Sequence, residues 1–250
     1  MKKIILNGCF GRMGKVITEI VSENSQCTIC AGVDFYSTGQ ADFPVYKTIS
    51  QVKEQADAII DFSNPSALSG LLEYAKTHKT PIVLATTGYS DEQIEQIKEA
   101  SKSIPVFFTF NMSLGINLLT ALSKRAAQIL GNDFDIEIVE KHHNQKLDAP
   151  SGTALMLANS INEVFSDSLQ YEYDRHSKRQ KRPKNEIGIH SVRGGTIVGE
   201  HEVIFAGKDE VITLSHSAAS RNVFASGAVR AALFLAGKPA GIYDMNKLIG

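Results

Sequence analysis

Between Glu140 and Ala154 the chain gathers Glu140, His142, His143, Lys146 and Asp148, then runs through Pro150-Ser151-Gly152-Thr153. Histidine titrates near neutrality, so it can hold or release a proton at physiological pH. A nearby lysine lowers its proton affinity, whereas Glu140 or a bound anion raises it. A histidine balanced in this way can deliver a proton to a carbon or nitrogen that is being reduced. His142 and His143 are adjacent, and neighbours on an extended chain point to opposite sides. One face cannot easily use both. That disfavours a two-histidine metal site, no cysteine or H-x-x-x-H spacing supports one, and no metal is expected. Pro150 to Thr153 opens a helical pattern. The free N–H groups of a helix start, with the Ser151 and Thr153 hydroxyls, suit a carboxylate. The plainer alternative is that Asp148 and Ser151 cap the helix and the histidines are merely exposed.

These residues need a rigid frame. Phe134, Ile136 and Ile138 alternate with Asp135 and Glu137, the period of a half-buried strand over 134–141. The cluster therefore sits on the turn between that strand and a helix over 153–165, where exposed side chains meet a fixed scaffold.

Upstream, the apolar run Ile4-Ile5-Leu6 ends in Asn7-Gly8-Cys9-Phe10-Gly11-Arg12-Met13-Gly14, followed by Val16, Ile17, Ile20 and Val21 at helical spacing. This reads as strand, glycine turn, helix. Glycines at 8, 11 and 14 permit a tight turn and close approach of a pyrophosphate to the helix N-terminus. An ordinary strand–helix connection is the alternative, because the spacing is G-x-x-G-x-x-G rather than the commoner G-x-G-x-x-G. A second strand over 28–33 ends on Asp34, placed to accept hydrogen bonds from ribose hydroxyls. Phe35 and Tyr36 follow it with no adjacent arginine for a 2'-phosphate. NADH is therefore expected over NADPH, although a distant lysine could substitute.

Strand–helix alternation continues through Ala58–Phe62, Pro81–Ala85 and Val106–Phe108, with helices after Pro65 and Ser90. Near-continuous apolar strands separated by helices imply an α/β, Rossmann-type doubly wound parallel sheet. Ligands of such sheets bind beyond the carboxyl ends of the strands, which places Thr86-Thr87 and Asn111-Met112 on one rim with Gly8 to Met13. As local features these are equally readable as helix caps.

A long helix from Gly115 to Leu130 then leads into a different pattern. Strands near 187–193, 197–206 and 210–216 are joined by short turns, suggesting hairpins in a mixed or antiparallel sheet. Residues 114–221 thus read as an inserted α+β domain for substrate binding and oligomerisation, with 1–113 and 222–250 forming the dinucleotide-binding domain. The run Arg175, Lys178, Arg179, Lys181, Arg182 and Lys184 lacks interleaved aromatics and reads as a solvated loop, one that could also attract an anionic substrate.

Composition narrows the class. The chain has 250 residues, 43% of them hydrophobic, and a net charge of -1. That balance gives no whole-protein attraction to nucleic acid or anionic membrane, and neither is expected as a partner. No stretch approaches the roughly 20 apolar residues of a membrane span. The apolar run after Met1-Lys2-Lys3 is too short for a secretory segment. Cys27 and Cys30 form a C-x-x-C inside a strand, unlike the helix-start setting of redox pairs. Reduced thiols and a soluble, cytoplasmic protein are the expectation.

Over essentially its whole length the chain resembles the dihydrodipicolinate reductases (4-hydroxy-tetrahydrodipicolinate reductases). The resemblance rests on Gly8-x-x-Gly11-Arg12-Met13-Gly14, Thr86-Thr87-Gly88 and Asn111-Met112-Ser113-x-Gly115-x-Asn117. It rests above all on Glu140-x-His142-His143-x-x-Lys146-x-Asp148-Ala149-Pro150-Ser151-Gly152-Thr153-Ala154, with Ser191-Val192-Arg193-Gly194-Gly195 and Gly199-Glu200-His201. It implies hydride transfer from NADH or NADPH to a small cyclic dicarboxylate in lysine and diaminopimelate biosynthesis. His142 matches the family's proton donor and Lys146 its second catalytic residue. His143, Gly152 and Thr153 match positions that hold substrate carboxylate. Cofactor contacts match Gly8, Cys9, Phe10, Gly11, Arg12, Met13, Asp34, Ala85, Thr86, Thr87, Thr109, Phe110, Asn111 and Met112. Ala85 stands where the family often has glycine, and Phe35 where some members carry arginine. The family also implies a homotetramer joined through the second domain's sheet. Alternatives are another nicotinamide dehydrogenase acting on an amino-dicarboxylate, or a dinucleotide-sensing protein; a sensor has no use for His142 and Lys146 beside an anion-binding helix start.

Overall fold

The computed structural model describes residues 1–36 and 38–250. The chain divides into two compact units, Met1–Leu114 with Asn222–Gly250, and Gly115–Arg221. In the first unit, β1 (Lys2–Asn7), α1 (Arg12–Ser22), β2 (Cys27–Val33) and β3 (Val45–Tyr46) build one half of a sheet. The other half comes from β4 (Ala58–Asp61), α2 (Leu68–His78), β5 (Ile82–Leu84), α3 (Asp91–Ser101) and β6 (Pro105–Phe108). Helix α4 (Leu114–Leu130) leads into the second unit, which holds β7 (Asp135–His142), α5 (Gly152–Asn162), β8 (Gln170–Glu172), β9 (Glu186–Arg193), β10 (Gly199–Ala206) and β11 (Val211–Ala218). The chain then returns through α6 (Asn222–Leu235), β12 (Gly241–Tyr243) and α7 (Met245–Ile249).

Among the described residues the first sheet runs β12-β6-β5-β4-β1-β2-β3 and is parallel throughout. Its strands are apolar on both faces because helices cover both. Ile4, Leu6, Ile60, Val83 and Phe107 pack against α1 and α6, while Ile5, Ile59, Ile82 and Val106 pack against α2 and α3. Sequence order reverses between β1 and β4, the switch point at which doubly wound sheets bind ligands. Local chemistry sets the helix ends. Asn64 accepts from the Ser66 amide, and Ser90 and Gln93 form a reciprocal capping box at the start of α3. The small strand β12 and helix α7 lie beyond Gly237, where the sequence pattern had offered no further element; β12 extends the sheet beside β6.

The second sheet is mixed, in the order β11-β10-β7-β9-β8. Strand β7 pairs parallel with β9 and antiparallel with β10. The expected hairpin across Gly194-Gly195 therefore does not form, because β7 lies between β9 and β10; the hairpin that does form joins β10 to β11. Burial along β7 alternates strictly, with Ile136, Ile138, Glu140 and His142 inward. The inward apolar residues pack with Leu157, Ala158 and Ile161 of α5 and with Ile116 and Leu119 of α4.

The basic run 175–184 forms no strand or helix, and Lys178, Arg179, Lys181 and Lys184 are exposed, as expected of a solvated loop. Arg175 and Arg182 depart from that expectation: both are half-buried and pair with acidic side chains on the outward face of this sheet. Arg182 donates to Glu137 (2.8 Å), Asp135 (3.1 Å) and the carbonyls of Ile136 (3.0 Å) and Glu186 (2.7 Å). Arg175 pairs with Glu137 and Glu186, His190 lies 2.7 Å from Glu137, and Lys178 pairs with Glu172. Burial raises the Glu137 pKa, but the hydrogen bonds from Arg182 and His190 and the charges of Arg175 and Arg182 carry it below its ordinary value.

Arg182→Ala should lower the stability of the protein by about 2–4 kcal/mol, because it leaves Glu137 and two carbonyls short of a buried donor. Arg179→Ala, at an exposed position of the same run, should stay within about 0.5 kcal/mol. Urea titration of both variants checks this, and equal, small effects would extend the solvated-loop reading to Arg182.

Candidate active site

His142 is the last residue of β7 and faces inward, with its side chain 11% exposed. Glu140 precedes it by two positions, on the same face of the strand, and has no exposed surface. A buried carboxylate is costly unless each oxygen is met by a donor. Here Glu140 Oε2 lies 2.6 Å from His142 Nδ1 and accepts from Arg193 Nη1 at 2.8 Å. Its Oε1 accepts from Arg193 Nη2 at 2.7 Å and from the Ser151 amide at 3.1 Å. Burial raises the pKa of Glu140, but hydrogen bonds from Arg193, Ser191 and His142 outweigh it and bring the group to about 2. Glu140 is therefore a carboxylate at any physiological pH.

The chain turns after His142. Gly194 donates to the His142 carbonyl, and the Lys146 amide to that of His143. Half-buried His143 opens the turn, and Lys146 Nζ pairs with Asp148 at 2.7 Å. Hydrogen bonding to Lys146 holds the Asp148 carboxyl below its ordinary pKa. Arg193 Nη2 also donates to the Asp148 carbonyl, so the arginine that neutralises Glu140 ties down the turn.

Ser151 caps α5, its Oγ accepting from the Ala154 amide at 3.1 Å. Gly152 and Thr153 form the first helical positions. The capping alternative thus describes Ser151, while Asp148 serves Lys146 instead. Ser151 Oγ also lies 3.0 Å from Nε2 of buried His201, whose ring meets that of His142 edge to face at 5.2 Å. Burial, then the charge of His142, pushes the His201 pKa down to about 4, so it is neutral.

In the first unit the residues expected to hold a cofactor lie beyond the carboxyl ends of parallel strands: Gly8 to Met13 after β1, Asp34 after β2, Ala85 to Thr87 after β5, and Thr109 to Met112 after β6. Gly8 has φ +83°, and a Cβ there would lie 2.9 Å from the Phe62 carbonyl carbon, so only glycine lets β1 turn against β4. Gly11 caps α1 without a side chain, which leaves the first-turn N–H groups to an anion. Asp34 accepts from the Phe10 amide (3.0 Å) and the Tyr36 amide (3.2 Å). It lines a cavity of about 580 Å³ with Gly8, Gly11, Phe35, Lys47, Ser63 and Ser66. A glycine turn, an open helix start and an acid at the end of the second strand, around a cavity of that size, fit a dinucleotide.

Three residues without an assigned role in the sequence reading prove structurally central. Arg193 and His201 stand in quoted motifs, yet only strand register brings them to Glu140 and Ser151. Asp61 ends an apolar strand, which was the one available signal. Fully buried, it accepts from Asn7, Ser63, Thr86 and Tyr89, and so joins the turns that follow β1, β4 and β5. Cys9 lies beneath the glycine turn, its thiol pushed up to about 11 by burial and by the Asp34 charge. Among the described residues no cluster of three or more His, Cys, Asp or Glu could hold a metal, and no helix is long and apolar enough to cross a membrane.

Comparison with known proteins gives consistent results for both units. The family model described as dihydrodipicolinate reductase, N-terminus, matches residues 2–112, and the one described as dihydrodipicolinate reductase, C-terminus, matches residues 115–249. A protein of Caldanaerobacter subterraneus subsp. tengcongensis, named 4-hydroxy-tetrahydrodipicolinate reductase, is 55% identical over 249 residues, covering 100% of this chain and 98% of its own. A protein of the same name from Clostridium tetani is 50% identical, covering 100% and 97%. The fold is similar to that of a dipicolinate-bound dihydrodipicolinate reductase from Paenisporosarcina sp. TG-14, with a TM-score of 0.83 at 24% identity, covering 98% of this chain and 99% of that one.

Proposed function

The chain belongs to the dihydrodipicolinate reductase family, and from that premise we propose how its residues divide the work. It reduces 4-hydroxy-tetrahydrodipicolinate to tetrahydrodipicolinate, with a nicotinamide cofactor, in lysine and diaminopimelate biosynthesis. Replacing the 4-hydroxyl by hydrogen consumes a hydride and a proton and releases water. A bound nicotinamide supplies the hydride.

His142 supplies the proton. The observation that carries this is the buried Glu140–His142 pair at a strand end, beside the start of α5. Gly152 and Thr153 receive a substrate carboxylate at that helix start, where N–H groups and the dipole favour an anion. His143 adds a donor from the turn. Lys146 moves between Asp148 and the substrate, exchanging one carboxylate for another of equal charge. The cofactor is held by Gly8 to Met13, Asp34, Ala85 to Thr87 and Thr109 to Met112. Strand β11, the outer edge of the mixed sheet, carries exposed Val211 and supports assembly into a homotetramer through that sheet; light scattering in solution reads the stoichiometry.

Asp34 bears on cofactor choice. Its carboxylate suits ribose hydroxyls and opposes a 2'-phosphate, and Phe35 follows it. Lys47, which donates to the Phe35 carbonyl at 3.3 Å, is the lysine on the same cavity wall and leaves NADPH usable.

In an assay that supplies the condensation product of pyruvate and aspartate semialdehyde and follows NADH oxidation, His142→Gln should lower kcat by about 10²–10⁴ with a modest change in KM. An unchanged kcat removes His142 from the mechanism. In the same assay kcat/KM should be higher for NADH than for NADPH, and Lys47→Ala should weaken NADPH use alone; a clear NADPH preference overturns the reading of Asp34.

A further inference from the structure

We propose that Glu140, clamped by Arg193, is a positioning residue for the reaction: it fixes which nitrogen of His142 carries the transferable proton and holds that histidine level with the start of α5. The proposal rests on the reading of His142 as the proton donor.

The geometry leaves little choice of tautomer. A carboxylate oxygen can only accept, so the 2.6 Å contact requires the proton on His142 Nδ1. The proton that moves then belongs to Nε2, and its delivery converts the imidazolium into a neutral ring with Nδ1–H still bound to Glu140. The Nε2 edge is kept accessible by Gly199, because a Cβ at that position would lie 3.1 Å from Nε2. A carboxylate bonded to one ring nitrogen fixes the ring's orientation wherever a histidine must present the other.

Glu140 itself cannot swing. Arg193 grips both its oxygens, and β7–β9 register places Arg193 opposite His142 and Ser191 opposite Glu140. The oxygen not used by His142 takes the Ser151 amide, the residue that caps α5. One side chain therefore sets the spacing between the proton donor and the proposed carboxylate site. Arg193 carries the same constraint to the turn through the Asp148 carbonyl.

Two measurements test this. In protein labelled with ¹⁵N-histidine, long-range ¹H–¹⁵N correlation reads the tautomer of neutral His142, its signals assigned by their loss in His142→Gln. The expected result is Nδ1 protonated and Nε2 bare; a neutral ring protonated on Nε2 overturns the proposal, and this readout needs no Glu140 variant to fold. Kinetically, Glu140→Gln should lower kcat about 10- to 100-fold with KM for the substrate changed less than about threefold, and in the His142→Gln background it should lower kcat no further. An equal loss in both backgrounds, or no loss in either, overturns the proposal. Wild-type kcat in His142→Gln, with His142 still protonated on Nδ1 in the parent, would instead defeat the proton-donor reading and leave the hydrogen-bond geometry standing.

Discussion

Two carboxylates with no exposed surface constrain the molecule, and it solves them in opposite ways. Glu140 keeps its charge because a guanidinium, an imidazole and an amide all reach it. Asp61 has no cation. Burial raises its pKa, and the neutral groups of Asn7, Ser63, Thr86 and Tyr89 oppose that shift. The first solution places a permanent negative charge behind a histidine. The second ties the turns that follow β1, β4 and β5 to one point. Removing a partner from either would leave a buried charge or acceptor unmet, a penalty larger than the net worth of the hydrogen bond itself.

Strand β7 carries the consequences for the second unit. Being central, it pairs on both sides and can draw Arg193 from β9 and His201 from β10 to its final residues. Its alternation gives one face to the apolar core and then, at the last two inward positions, to Glu140 and His142. The opposite face is polar and charged, and there Arg175 and Arg182 fold down. Both faces thus use acidic residues of one strand as anchors for arginines supplied from distant parts of the chain.

Much of the fold was legible from local pattern. Parallel strands buried on both faces read as short apolar runs, and Ile4-Ile5-Leu6 and Ala58-Ile59-Ile60 announce themselves. Asn64 and Ser90 mark helix starts because capping is a short-range interaction. The weak elements were not legible: β8 and β12 span three residues each and gain stability only from neighbours in the sheet. The pairing of Arg175 and Arg182 was not legible for a related reason. Charge density along a chain says nothing about the acidic residues that fold against it.

The site divides along the same line. Residue types and spacing from Glu140 to Thr153 by themselves placed His142 at a strand end and Ser151-Gly152-Thr153 at the following helix start, because strand end, turn and helix cap are contiguous. Local pattern likewise placed the glycine turn after β1 and Asp34 after β2, within one β-α-β unit. Only the tertiary structure decided that Glu140 is buried in the grip of Arg193, and that His201 stands behind Ser151. Those facts depend on partners about fifty positions away, and strand register, a property of the assembled sheet, is what brings them within hydrogen-bonding distance.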